Sequence, residues 1–175
     1  RGDDPDGTFA AFEFLIEGRD GGSSVLRCVH NFDLLGDDWE EQYDGMRLGD
    51  VAHLRKLAVY LAHFPGRTSK VNLFLMGPPV ADDTKVWSTF ADTLSVGDIS
   101  EGARVRLDVP GRPATEGVVD FLSTPNCVVA HTQDGILMLL RGYRNVVGVA
   151  YHGFGDEDEE EVETAYRSWL GTAFV

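Results

Sequence analysis

The sequence predicts an α+β protein whose sheet is antiparallel. Three observations lead there. The run from Asp37 to Gly66 reads as one long helix with an apolar stripe. The runs Ala103–Val109, Thr115–Ser123, Cys127–Thr132, Ile136–Gly142 and Val146–Phe154 follow one another at the spacing of an antiparallel meander. A last amphipathic helix closes the chain. A helical stripe as wide as the first needs a sheet to lie on.

Taken in order, residues 1–8 are polar and broken by Gly and Pro, so a frayed end is expected. The Arg1-Gly2-Asp3 tripeptide there reads as a chance match. Phe9 to Glu17 alternates, with Phe12, Phe14 and Ile16 on one face, as a half-buried strand does. Arg19-Asp20-Gly21-Gly22 is turn chemistry, and Ser24 to Phe32 pairs back with Leu26, Cys28, His30 and Phe32 on one face. A loop over 33–38 feeds the long helix, which Asp37 or Asp38 can cap. The expected buried stripe is Trp39, Tyr43, Met46, Leu54, Leu57, Ala58, Leu61 and Phe64, while Arg47, Arg55 and Lys56 fall towards water. Gly45 and Gly49 each cost about 1 kcal/mol against Ala in a helix, which implies either close backbone packing or a kink. Pro65-Gly66 stops the helix.

Arg67 to Lys70 is a polar linker, and Val71 to Met76 is an apolar strand closed by Gly77-Pro78-Pro79. Asp82 or Asp83 caps a helix running to about Leu94, with Val86, Trp87, Phe90 and Leu94 inward. The five meander strands come next, joined by turns at Pro110-Gly111, Thr124-Pro125-Asn126, Asp134-Gly135 and Arg144-Asn145. After Gly155 an acidic run opens the last helix, where negative charge suits the positive end of the helix dipole. Its stripe is Val162, Ala165, Tyr166, Trp169, Leu170 and Ala173. The domain reading is residues 1–66, in the order β-β-α, then residues 67–175, in the order β-α-β-β-β-β-β-α.

Composition excludes some functions. The net charge is −14, shared evenly between residues 1–66 and 67–175. Neither part presents a basic face, so nucleic acid and anionic membrane are not expected partners. No run reaches the roughly 18 apolar residues that span a bilayer. Cys28 and Cys127 lack metal-type spacing and read as free thiols of a reducing compartment, so a cytoplasmic location is expected.

The segments FEFLIEGRDGGSSVLRCVHNF (12–32) and DDWEEQYDGMRLGDVAHLRKLAVYL (37–61) resemble the end of a Hsp90-ATPase-activator-homology domain, a branch of the START/Bet v 1-like (SRPBCC) superfamily. EGVVDFLSTPNCVVAHTQDGILMLL (116–140) resembles the most characteristic piece of a second, shortened domain of that kind. The resemblance implies a helix-grip fold, in which a curved antiparallel sheet grips a long C-terminal helix. It also implies a small hydrophobic ligand held between the two, without chemistry. Residues 1–66 would be only the closing β-β-α part of such a domain. An upstream segment or a second copy, as in a homodimer, is therefore expected to complete its sheet.

Five histidines are present, and none stands in an HExxH or HxH pair. No metal, cofactor or catalytic residue is assigned. Asp156 to Glu163 lacks the glycine that a calcium loop needs at its sixth position, where Glu161 stands. His131 and His152 lie on strands of the second domain and could share an interior with Tyr151, Asp120 or Arg141. The expected ligand-binding set is His131, Tyr151, His152, Trp87, Trp169 and Phe121. Two other readings stay open. One is modulation of an Hsp90-type chaperone ATPase, which the family name suggests. The other is a cyclase or hydratase that uses the cavity histidines.

Overall fold

A computed structural model describes residues 2–3, 9–32 and 37–174. The elements are β1 (Gly2–Asp3), β2 (Phe9–Arg19), β3 (Ser23–Phe32), α1 (Trp39–His63), β4 (Val71–Pro79), α2 (Asp83–Thr93), β5 (Arg104–Leu107), β6 (Thr115–Ser123), β7 (Cys127–Thr132), β8 (Gly135–Arg141), a 3-10 turn at Tyr143–Asn145, β9 (Val146–Gly153) and α3 (Glu159–Ala173). Two compact units result, Arg1–Tyr43 and Asp44–Val175, with the divide inside α1. Of the expected frayed end and the expected loop, residues 1, 4–8 and 33–36 lie outside the described residues.

In the first unit β2 and β3 form a long hairpin. The register pairs Phe12 with His30, Phe14 with Cys28 and Ile16 with Leu26, which is the face grouping expected from the alternation. Gly21 and Gly22 make the turn with φ of 81° and 77°, backbone that residues with a Cβ enter at a cost. The short β1 adds to β2 antiparallel. Phe12, Phe14, Ile16 and Leu26 are exposed.

The second unit contains a six-stranded antiparallel sheet in the order β4-β9-β8-β7-β6-β5. The first strand lies beside the last, the others follow as a meander, and the C-terminal helix packs against the sheet. This α+β architecture is the helix-grip arrangement expected for the second domain. Asp82 is the cap of α2, accepting from Thr84 N at 2.9 Å and Lys85 N at 3.2 Å. Asp158 caps α3 through Glu161 N at 3.0 Å. β4 does not close at Gly77 as expected. It passes an irregularity and pairs Pro79 with Val146.

The sheet is covered on both faces. On one, Leu73, Val128, Ala130, Leu137, Leu139 and Val149 pack with Phe90 of α2 and with Tyr166, Trp169 and Leu170 of α3. On the other, Cys127, Val129, Ile136, Met138, Ala150 and Phe154 pack with Ala52 and Val59 of α1 and with Phe64 just beyond it. Successive residues of β7, β8 and β9 therefore enter different cores.

The expected stripe of α1 needs correction. Only Phe64 of that set is buried, whereas Trp39, Tyr43, Leu54, Leu57 and Leu61 are exposed. The inward side is built from smaller residues, Ala52 and Val59. The reason is steric. Bulky Ile136, Met138 and Phe154 already fill that sheet face, so the helix presents small side chains to it. Gly45 follows the same rule: a Cβ there would stand 3.0 Å from Cβ of Tyr143. Close packing, not a kink, accounts for that glycine, since α1 runs unbroken from Trp39 to His63. No helix among the described residues is long and apolar enough to cross a membrane.

The face assignment of α1 makes a direct prediction. Val59 is 6% exposed and Leu61 is 61% exposed. Val59→Ala is expected to cost about 2 kcal/mol in urea unfolding, and Leu61→Ala less than about 0.5 kcal/mol. The reverse ranking would put the sheet under the other side of the helix.

Candidate functional site

The last turns of α1 cross the sheet face formed by alternate residues of β7, β8 and β9. Phe64 is fully buried there and stacks on Phe154 at 4.3 Å between ring centres. Two clefts open along this crossing, one lined by residues that include His63 and Phe64, the other by residues that include Tyr60 and Phe154.

The first cleft holds about 430 Å³ and is lined by His63, Arg104, Glu116, His131 and Gln133 among others. Its chemistry comes from an irregularity in the sheet. β6 and β7 pair regularly to Val119↔Ala130, then resume at Phe121↔Val129. The residue skipped is Asp120, and a bulge of this kind re-aims its side chain. The Asp120 carboxylate lies 2.8 and 2.9 Å from Nδ1 of His131. His63 reaches over from the end of α1, with Nε2 3.8 Å from Asp120 and its ring stacked on that of His131 at 3.9 Å. Gly117 lets the strands close beside this group, because a Cβ there would meet the His131 carbonyl oxygen at 2.5 Å.

The second cleft holds about 350 Å³ and is lined by His53, Lys56, Leu57, Tyr60, Arg67, Ser69, Ile136, His152 and Phe154. Burial pushes the Lys56 ammonium down to about 8. The one group that favours its charge is Cys127, and burial raises that thiol to about 12, so it stays neutral. Among the described residues, Lys56 has no hydrogen-bond or ion-pair partner. His152 is pushed down to about 4, first by burial and then by the nearby charges of Lys56 and His53. Its Nδ1 stands 2.9 Å from Oδ1 of Asn72. His53 is lowered as well, mainly by burial. Arg67, by contrast, is paired: it donates to Asp134 at 2.7 Å and to the Phe154 carbonyl at 2.9 Å.

The six expected ligand residues divide between the two sheet faces. His131, His152 and Phe121 lie on the α1 side, where Arg55 sits over the Phe121 ring at 5.4 Å. Tyr151 and Trp169 belong to the core under α3, and Trp87 packs at its margin. The Tyr151 hydroxyl donates to Glu157 at 2.8 Å and accepts from Arg112 at 3.2 Å, and Arg112 also pairs with Glu157. Burial raises that phenol to about 12. The void among Arg112, Tyr151 and Tyr166 is about 20 Å³, room for one water.

Sequence reasoning placed Lys56 towards water and gave His53 and His63 no role. Lys56 belongs to the inward side of α1, four residues after Ala52 and three before Val59. That spacing was the available signal, but the larger apolar residues of the opposite side masked it.

No protein-family model matches this chain, and no curated protein matches it. The solution structure of Bacillus halodurans protein BH1534 shares 14% identity with it, over 54% of this chain and 79% of that one, at a TM-score of 0.36. That likeness is too low to bear on fold or function.

The surroundings of His152 fix a pH dependence. Its ordinary value is 6.5 and its folded value about 4. Between those values the unfolded chain binds a proton that the folded protein refuses. Stability from this group is thus fully present above 6.5 and is lost as pH falls towards 4. An NMR titration of the His152 ring should show a midpoint near 4, and a midpoint near 6.5 would mean the ring stands in water.

Proposed function

We propose that this protein is a binding module for a small amphiphilic acid, seated in the cleft between α1 and the sheet face beneath it. The observation that carries the reading is Lys56, a partly buried amine on an apolar wall with no carboxylate partner among the described residues. A charge in such a place is costly unless something opposite pairs with it. A ligand carboxylate would supply that partner, with Leu57, Tyr60, Ile136 and Phe154 receiving the apolar body. His53 and His152 add hydrogen-bonding positions, in keeping with pockets that combine an apolar lining and a few convergent polar groups. A volume of about 350 Å³ suits a chain of modest length rather than a large lipid.

The net charge of −14 opposes an anion at long range. At physiological salt that repulsion is screened beyond about 8 Å, so the local amine decides the outcome. The ligand-binding reading, which the helix-grip resemblance attaches to the C-terminal helix, moves here to the opposite sheet face. The void between the sheet and α3 at Tyr151 and Tyr166 is about 20 Å³, too small for a ligand.

Calorimetric titration with octanoate and with octanol tests the proposal. The native protein should bind the acid about tenfold or more tighter than the alcohol. Lys56→Met should erase that preference while leaving alcohol binding in place. Equal affinity for both molecules in the native protein, or binding of neither, would refute the reading.

A further inference from the structure

Three side chains from separate elements meet at the edge of the first cleft, which two of them line: His63 at the end of α1, Asp120 at the bulge of β6 and His131 on β7. Their potential donor atoms all lie within 4.8 Å of one another. We infer that they form a binding site for a divalent first-row transition ion of the Zn2+ class, distinct from the amphiphile cleft.

The donor set selects the class of ion. Ca2+ and Mg2+ take oxygen ligands, six or more in number, and one carboxylate with two imidazoles does not supply them. Two nitrogens and a carboxylate suit Zn2+ and its neighbours in the series. The distances are close to what such an ion needs. Ligands on a four-coordinate zinc, with bonds of about 2.0–2.1 Å, stand about 3.3 Å apart. Asp120 and His131 are somewhat closer than that, at 2.8 Å, and His63 is somewhat farther, at 3.8 Å from Asp120. An entering ion would spread the first pair and draw in His63, whose donor stands within 4.8 Å of both other ligands.

One rearrangement is required. An ion lies near the plane of each imidazole that binds it, and the two rings are stacked at 3.9 Å with 20° between their planes. His63 is the ring able to turn. Its side chain is 43% exposed, whereas those of His131 and Asp120 are 17% and 15% exposed and sit in paired strands. The anchoring is otherwise rigid, with Phe64 fully buried next to His63.

Three protein ligands leave a coordination position open, as catalytic rather than structural zinc sites do. His63 and His131 line the cleft of about 430 Å³, so that position would face it, beside Arg104 and Glu116. The acidity of the chain attracts cations to such a cleft.

Titration of the metal-free protein with Co2+, a spectroscopic stand-in for Zn2+, tests the site. The native protein should develop visible ligand-field absorption that saturates at one equivalent and is discharged by Zn2+. His63→Ala and Asp120→Asn should each weaken binding about tenfold or more. His152→Ala, in the other cleft, should leave it unchanged. Circular dichroism checks the fold of each variant. If Asp120→Asn fails to fold, His63→Ala, at an exposed helix end, decides alone. Absence of saturable binding at micromolar Co2+ overturns the proposal. So does a His63→Ala protein that binds as tightly as the native one, or loss of binding in His152→Ala.

Discussion

The backbone of a central strand has nowhere to turn for hydrogen bonds once both faces of its sheet are covered. Every N–H and C=O of β7, β8 and β9 that leaves water must be matched by a neighbouring strand, or the fold loses about 1–3 kcal/mol for each orphan. The ladder supplies those matches across the sheet, with Ile136 paired to both His131 and His152. This saturation lets apolar residues occupy consecutive positions, such as Val128, Val129 and Ala130, without exposing any to solvent. All other features of the second unit are placed against that double-sided slab.

The same slab explains where polar chemistry is found. Groups at the margin of the α1 crossing are sheltered enough to feel a low dielectric and open enough to meet a solute. Lys56 and His152 carry the effect of shelter, since burial leads the causes that favour their neutral forms. Asp120 and His131 illustrate the alternative, in which two polar groups satisfy one another at hydrogen-bond distance. On the opposite face, Arg112, Glu157 and Tyr151 close a polar knot whose adjoining void holds about 20 Å³. That arrangement has the character of internal scaffolding.

Much of the architecture could be read from local patterns. Turn residues marked the meander, Asp82 or Asp83 and the acidic run after Gly155 marked helix starts, and Trp169 with Tyr166 marked the buried side of α3, where both are buried. The side of α1 could not be read, because amphipathicity records size and polarity but not what the opposing surface has left free. Ala52 and Val59 win that surface over Leu57 and Leu61 for reasons that reside in Met138 and Phe154, tens of residues away. The site was harder still. His131 was visible as a strand residue, but its partnership with Asp120 depends on one skipped position in a ladder, and His63 arrives through the path of a helix. Neither leaves a trace in spacing.

The skipped position at Asp120 also bears on how this chain can change over generations. Val119 faces Ala130 and Phe121 faces Val129, so a copying slip that removed the Asp120 codon alone would close the ladder with Val119 and Phe121 still on their present sides. The core would keep Val119, but the acid beside His131 would vanish. Descendants could thus drop the acid and keep the sheet, whereas a codon lost elsewhere along that strand would turn its neighbours to the wrong surface.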